Sequence, residues 1–414
     1  MIWRNSFFNL LGLGIPLLLS IATMGWLSRI LSVEEFGIFL ISFSVLGYAS
    51  IFDMGLTRAV IRFISINNSD FEKDRLVMGT STIAVFVFSI FIGLVLYLSC
   101  STIIDFLKVT ESSLLEVEKT FKILALIIAP TLISMVWFSF LEGRQEFLKL
   151  NIYKTISGII IALGPLLGGL VDSTLSGVMI GFLYARLLSC LIAFLPNYFV
   201  FKFKLFCFKI ETLIEMIKFG GWITLSNFIS SIMVYTDKFI LSNILGANQV
   251  AVYAAPSEVV SKMGIVPGAI ARVIFPLFSA SNKDSKENSK KVYVGMIVIM
   301  FVLIAPIFIF SELLLGFWLG ENYALEGSTL LRILLVGFFF NSLAQIPFSR
   351  IQAFGKSKLT AYIHIFEVLP YLIILFLFIH SFGLIGAAIA WSLRVILDYL
   401  ILEYFSKKLE FDVI

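Results

Sequence analysis

Seven basic and five acidic side chains fall inside stretches made otherwise of Leu, Ile, Phe and Val: Arg58, Arg186, Lys238, Lys262, Arg272, Arg332 and Arg394, with Asp53, Asp237, Glu258, Glu367 and Asp398. A charge at the centre of an apolar helix costs about 2.5 to 3.5 kcal/mol on insertion scales, so such groups face a cavity or a partner. The basic excess suits an anionic group, a phosphate or pyrophosphate, held by Arg58, Arg186, Lys238, Lys262, Arg272 and Arg394. Asp53, Asp237, Glu258 and Asp398 are of the type that takes a proton or Na+.

Spacing sorts these charges. Glu258 and Lys262 are one helical turn apart, and Arg272 falls within about 40° of Glu258 on a wheel, so one face carries all three. Pro267 and Pro276, with Gly264 and Gly268, interrupt the same stretch, and broken helices line many transport sites. Asp237 and Lys238 are adjacent, so each needs its own partner. Arg394 and Asp398 stand at i, i+4 and have a second reading as a pair that only fixes packing; the same applies to Glu258 and Lys262. Arg58 and Arg62 lie toward a span end, where long side chains snorkel, and Arg332 has the same reading on the other side. Arg186 sits mid-span with no local partner.

The elements that must position these groups are membrane helices. Of 414 residues 59% are hydrophobic and 14% charged, against about 25% charged in soluble domains. Apolar runs of the length that crosses a bilayer give twelve candidate spans, near 7–30, 36–64, 76–101, 118–141, 151–171, 176–200, 218–244, 250–279, 292–315, 326–349, 358–380 and 384–406. With the N-terminus cytosolic, inside connections carry twenty Lys and Arg, and outside ones only Arg29, Lys108, Lys119 and Lys122. Both termini are therefore expected on the cytosolic side. The net charge of +4 is explained by these loops, which leaves no nucleic-acid partner to invoke. Cys100, Cys190 and Cys207 lack metal or redox spacing, and His364 and His380 have no ligand partner near in sequence.

The halves resemble each other at an offset of 214: Leu27-Ser-Arg-Ile-Leu31 falls on Leu241-Ser-Asn-Ile-Leu245, Phe39 on Tyr253 and Arg58 on Arg272. An even number of spans between copies makes the repeats parallel. The expected organisation is a six-helix lobe over residues 1–200, a basic cytosolic linker over 201–217 and a second six-helix lobe over 218–414, the lobes facing a central cavity.

Catalysis has no foothold. Gly355-Lys356-Ser357 ends like a phosphate loop, but Arg350 stands where its first glycine belongs, and there is no nucleophile-elbow or zinc-hydrolase motif. Gly164-Pro-Leu-Leu-Gly168 and Gly177-Val-Met-Ile-Gly181 fit the G-x-x-x-G spacing of close helix packing.

Leu31-Ser-Val-Glu-Glu-Phe-Gly-Ile-Phe39 and Phe52-Asp-Met-Gly-Leu-Thr-Arg58 resemble the first lobe of Wzx-type polysaccharide repeat-unit flippases. Tyr235-Thr-Asp-Lys-Phe-Ile-Leu-Ser-Asn-Ile-Leu-Gly246, Val252-Tyr253 and Gly355-Lys-Ser-Lys358 are similar to that family's second lobe. These motifs are shared across the multidrug/oligosaccharidyl-lipid/polysaccharide exporter (MOP) superfamily. The resemblance implies a MATE-like all-α membrane fold of two pseudo-symmetric six-helix bundles in a bacterial inner membrane. It further implies translocation of undecaprenyl-pyrophosphate-linked oligosaccharide, as in O-antigen and lipopolysaccharide biosynthesis, by alternating access. No cofactor is implied beyond a possible coupling proton or Na+, and a polysaccharide polymerase and chain-length regulator are the implied partners. A cation-coupled multidrug extruder of the same fold is the alternative, and a membrane polymerase or ligase the more distant one.

Overall fold

The computed structural model describes residues 2–51, 53–66, 70–198, 207–271, 285–354 and 356–412. The first half is built from α1 (Ile2–Ile30), α2 (Val33–Ile51), α3 (Leu56–Ile66), α4 (Phe71–Leu98), α5 (Cys100–Leu107), α6 (Leu114–Gly143), α7 (Phe147–Val171) and α8 (Leu175–Phe194). Then come α9 (Ile210–Leu245), α10 (Ala247–Met263), α11 (Ser285–Ile309), α12 (Ser311–Leu319), α13 (Glu321–Ala353) and α14 (Ser357–Asp412). Among the described residues seven helices are long and apolar enough to cross a membrane. Each of the twelve expected spans falls mainly on helix as far as it is described, the span over 36–64 being shared by α2 and α3, and α14 carries two, folded back on themselves at Gly383 (φ 57°, ψ −135°). A glycine is needed there because a side chain disfavours positive φ.

The chain divides into two compact units, Met1–Ser231 and Ile232–Ile414, with the division inside α9. In the first unit α6 is the central helix, packed by α3, α4 and α8. In the second α13 holds that place, packed by α10, α11, α12 and α14. Their apolar windows are 61% and 56% buried, against 33% for α4 and 11% for α11. They are spans 4 and 10, the same position in each six-span half.

The repeat register also shows in the helix ends. Adding 214 to the start of α2 at Val33 gives Ala247, where α10 begins. The first junction is closed by a capping box: Ser32 N–H donates to Glu35 Oε2 (3.0 Å) and Glu35 N–H to Ser32 Oγ (3.2 Å). Glu34, 4% exposed, accepts from the amide (2.8 Å) and hydroxyl of Thr110, tying this junction to the turn before α6. The motif that carries the family resemblance is thus a structural fastening.

Close packing of α7 on α8 follows from the glycines. A Cβ on Gly168 would stand 2.3 Å from the Gly177 carbonyl oxygen, and one on Gly181 2.3 Å from that of Gly164. Backbones approach there because no side chain intervenes.

Candidate functional site in the second unit

The last turns of α9 and the length of α10 bring together Asp237, Lys238, Tyr253, Glu258 and Lys262. Lys238, 2% exposed, donates from Nζ to Glu258 Oε1 at 2.8 Å, and Lys262 Nζ lies 3.6 Å from Glu258 Oε2. Asp237, 1% exposed, accepts from Tyr253 Oη at 2.6 Å and from the Lys238 amide at 2.8 Å. The adjacent pair therefore turns to separate partners. Two cations and two carboxylates leave the group neutral overall, so its internal compensation is what makes deep burial tolerable. Only Glu258 and Lys262 keep a half-open edge.

The first unit places its candidates differently. Arg186 on α8 is half-buried, its guanidinium carbon 5.0 Å from the Phe182 ring centroid, and its Nε has no hydrogen-bond partner. No ion pair reaches it among the described residues, leaving the face of an aromatic ring as its compensation. Arg58 is exposed on α3, within electrostatic range of Lys154, and Arg62 stacks over Phe219 at 4.2 Å. Asp53 is engaged as a cap: its carboxylate accepts the amides of Gly55 (2.8 Å) and Thr57 (3.3 Å) and starts α3. The expected span over 36–64 is broken at this point by Met54 (φ 54°) and Gly55 (φ 70°). Gly55 is required twice over, because a Cβ there would also lie 2.5 Å from the Gly220 carbonyl oxygen.

Arg332 donates to the Phe308 carbonyl (3.3 Å) and Ser311 Oγ (2.8 Å), filling the helix-end acceptors between α11 and α12. Arg272 lies outside the described residues.

With this geometry in place, comparison with known proteins separates the possibilities. The polysaccharide biosynthesis protein family matches residues 2–282. A Shigella flexneri protein named "Putative O-antigen transporter" is 42% identical over 412 residues, covering 98% of each chain. The chain belongs to the polysaccharide biosynthesis protein family. The resemblance to Wzx-type flippases in the sequence agrees with this. Among solved structures, an inward-facing multidrug resistance MATE family transporter of the MOP superfamily superposes with TM-score 0.81 at 16% identity, covering 97% of each chain. The lipid II flippase MurJ in its inward closed conformation gives TM-score 0.74 at 16% identity, covering 95% of this chain and 87% of that one. At that identity these likenesses establish the fold, a multi-pass helical membrane protein. The relatives bear the names of transporters and flippases and not of catalysts.

For a second set of charges the residues were named from the sequence, but their grouping was not. Arg394 and Asp398, one turn apart on the second arm of α14, turn to the first arm: Arg394 Nε stands 4.0 Å from Glu367 Oε2, and Asp398 Oδ1 3.6 Å from His364 Nε2. The reading of Arg394 and Asp398 as one another's partner is replaced by this cross-hairpin arrangement. The signal was present in the sequence: His364 and Glu367 stand at i, i+3 before the bend, matching Arg394 and Asp398 at i, i+4 after it. Tyr371, 5.9 Å from Arg394, and Tyr253 were equally unassigned. No spacing rule singles out a tyrosine among 13.

Proposed function

We propose that the protein translocates undecaprenyl-pyrophosphate-linked oligosaccharide repeat units across a bacterial inner membrane by alternating access. In this reading both termini are cytosolic, lobes over 1–200 and 218–414 are joined by a linker over 201–217, and a polysaccharide polymerase and chain-length regulator act next. The observation that carries it is the full-length relationship to the Shigella flexneri protein. The geometry adds a ligand-ready cation: Arg186 is half-buried and among the described residues no anion pairs with it, so a phosphate would complete it. Lys262 and Arg58 are partly accessible and supplement it, and Arg272 is a further candidate. Lys238, committed to Glu258, and Arg394, facing Glu367, act through those carboxylates. A proton or Na+ gradient drives the cycle.

Deletion of the gene should abolish surface polysaccharide on gels, with sugar-lipid accumulating in the inner leaflet, and the intact chain should restore it. Arg186→Ala should fail to restore export at normal protein level, and Arg186→Lys should restore part of it. Unchanged polysaccharide in the deletion strain, with increased sensitivity to cationic drugs, would replace this reading with drug extrusion.

A further inference from the structure

The hairpin of α14 holds a charge imbalance that the proposed cargo does not use. Glu367 and Asp398 face each other across the two arms, and one ligand atom each from His364, Glu367 and Asp398 lie within 4.8 Å of one another. Asp398 is 6% exposed, and its Oδ1 and both Glu367 oxygens lack hydrogen-bond partners among the described residues. Two ionised carboxylates exceed the single guanidinium of Arg394 by one negative charge, which is costly in an apolar span unless one proton is held within the Glu367–Asp398–His364 group. One monovalent cation cancels it. The Arg394 guanidinium beside Glu367 repels a divalent metal, and an imidazole is a poor sodium ligand. A proton shared by the carboxylates both neutralises the group and supplies the missing hydrogen bond.

We infer that Glu367 and Asp398 form a single-proton site, with His364 as its exchange partner. The structure also connects this site to the first charged group within the same unit. Arg394 lies 5.9 Å from the Tyr371 ring. Tyr371 is within electrostatic range of Tyr253, and Tyr253 donates to Asp237, whose neighbour Lys238 holds Glu258. Gain or loss of the proton changes the charge facing Arg394 and so reaches the buried pair on α9 and α10. The groups placed against the site among the described residues are His364 and Arg394, with Tyr371 beside Arg394, all from its own hairpin; from α13, Arg350 is engaged with Ser406, two turns beyond Asp398. His364 stacks on Phe348 with ring centroids 5.9 Å apart. This assignment gives the coupling ion of the proposed transport cycle its identity and place, and rests on that reading only for its role in export.

The test is infrared spectroscopy of the full chain in lipid, titrated from acid to alkaline and read at the protonated-carboxyl C=O stretch. Wild type should show a buried protonated band at neutral pH. Glu367→Gln and Asp398→Asn should each lose it, since one carboxylate against one guanidinium needs no proton. Arg394→Gln should keep the band to higher pH. A band absent in wild type, or unchanged in both carboxylate variants, overturns the site, as does sodium binding that disappears in Asp398→Asn. The spectra need no cargo, so they stand apart from the flippase reading. In cells, Glu367→Gln at normal protein level should lose at least tenfold of surface polysaccharide. Wild-type export in both carboxylate variants would overturn the coupling role even with the band assigned.

Discussion

The two units use the same helical register to opposite ends. Subtracting 214 from Asp237, Lys238, Tyr253, Glu258 and Lys262 gives Thr23, Met24, Phe39, Ser44 and Tyr48. Phe39 and Tyr253 are both fully buried, at 1% and 0% exposure. Thr23 satisfies itself by donating to the Ala162 carbonyl at 2.9 Å, and Met24, 2% exposed, packs. Where the first unit has an uncharged seam, the second has a neutral network of buried ions. Such networks are weak evidence for stability, because well-packed apolar groups do as well or better. At these matched positions the second unit alone carries buried ions, whereas the first unit keeps its buried pair elsewhere, between Asp74 and Arg144, which argues that at this seam the second unit's packing must respond to charge.

The largest expected effect breaks that asymmetry directly. Lys238→Ala leaves Glu258 buried with only the longer contact to Lys262 and should cost about 3–5 kcal/mol, seen as a large fall in the melting temperature of purified protein. Gly181→Leu, in the first unit, drives a side chain against the Gly164 backbone. It should destabilise by about 3 kcal/mol and lower the amount of protein reaching the membrane. Grafting the first unit's residues onto the second sharpens the comparison: Asp237→Thr, Lys238→Met, Tyr253→Phe, Glu258→Ser and Lys262→Tyr together should stay within about 2 kcal/mol of the parent yet lose export. A graft that still exports would make the buried ions dispensable. Thr23→Val removes one hydrogen bond and should cost about 1 kcal/mol, with export intact.

The smallest effect lies at the start of α4, where Asp70 caps the helix by accepting from the amides of Glu72 and Lys73. The Lys73 amide, with help from its ammonium, holds the Asp70 carboxyl below its ordinary value. A depressed folded value means the cap is at full strength above the ordinary carboxylate range and is lost as pH falls through the folded value. Asp70→Ala should speed hydrogen exchange at Glu72 and Lys73 at neutral pH and make no difference in strong acid.

The helices, the twelve spans and the repeat offset were legible in the sequence because each rests on local pattern: apolar run length and the identities around Leu31 and Leu245. The pairing of Glu258 with Lys262 was legible for the same reason, being one turn apart. What was hidden depends on which helices become neighbours. Asp53 reads as an intramembrane acid until the chain is seen to break at Met54 and Gly55, turning it into a cap. Arg332 reads as a snorkelling charge until the end of α11 arrives beside it. His364 seemed to lack a partner because Asp398 is 34 residues further on, and only the hairpin closes that gap.

The single-residue bend at Gly383 also bears on how the chain enters the bilayer during synthesis. Arms joined so tightly are suited to partition from the translocon as one helical hairpin, so that Glu367 and Arg394 leave water already beside each other. Each charge inserted singly would face a penalty of about 2.5–3.5 kcal/mol. Biogenesis of the last two spans is therefore set by the shortness of their turn as much as by their hydropathy, and a long flexible insertion after Gly383 would impair membrane integration before it touched transport.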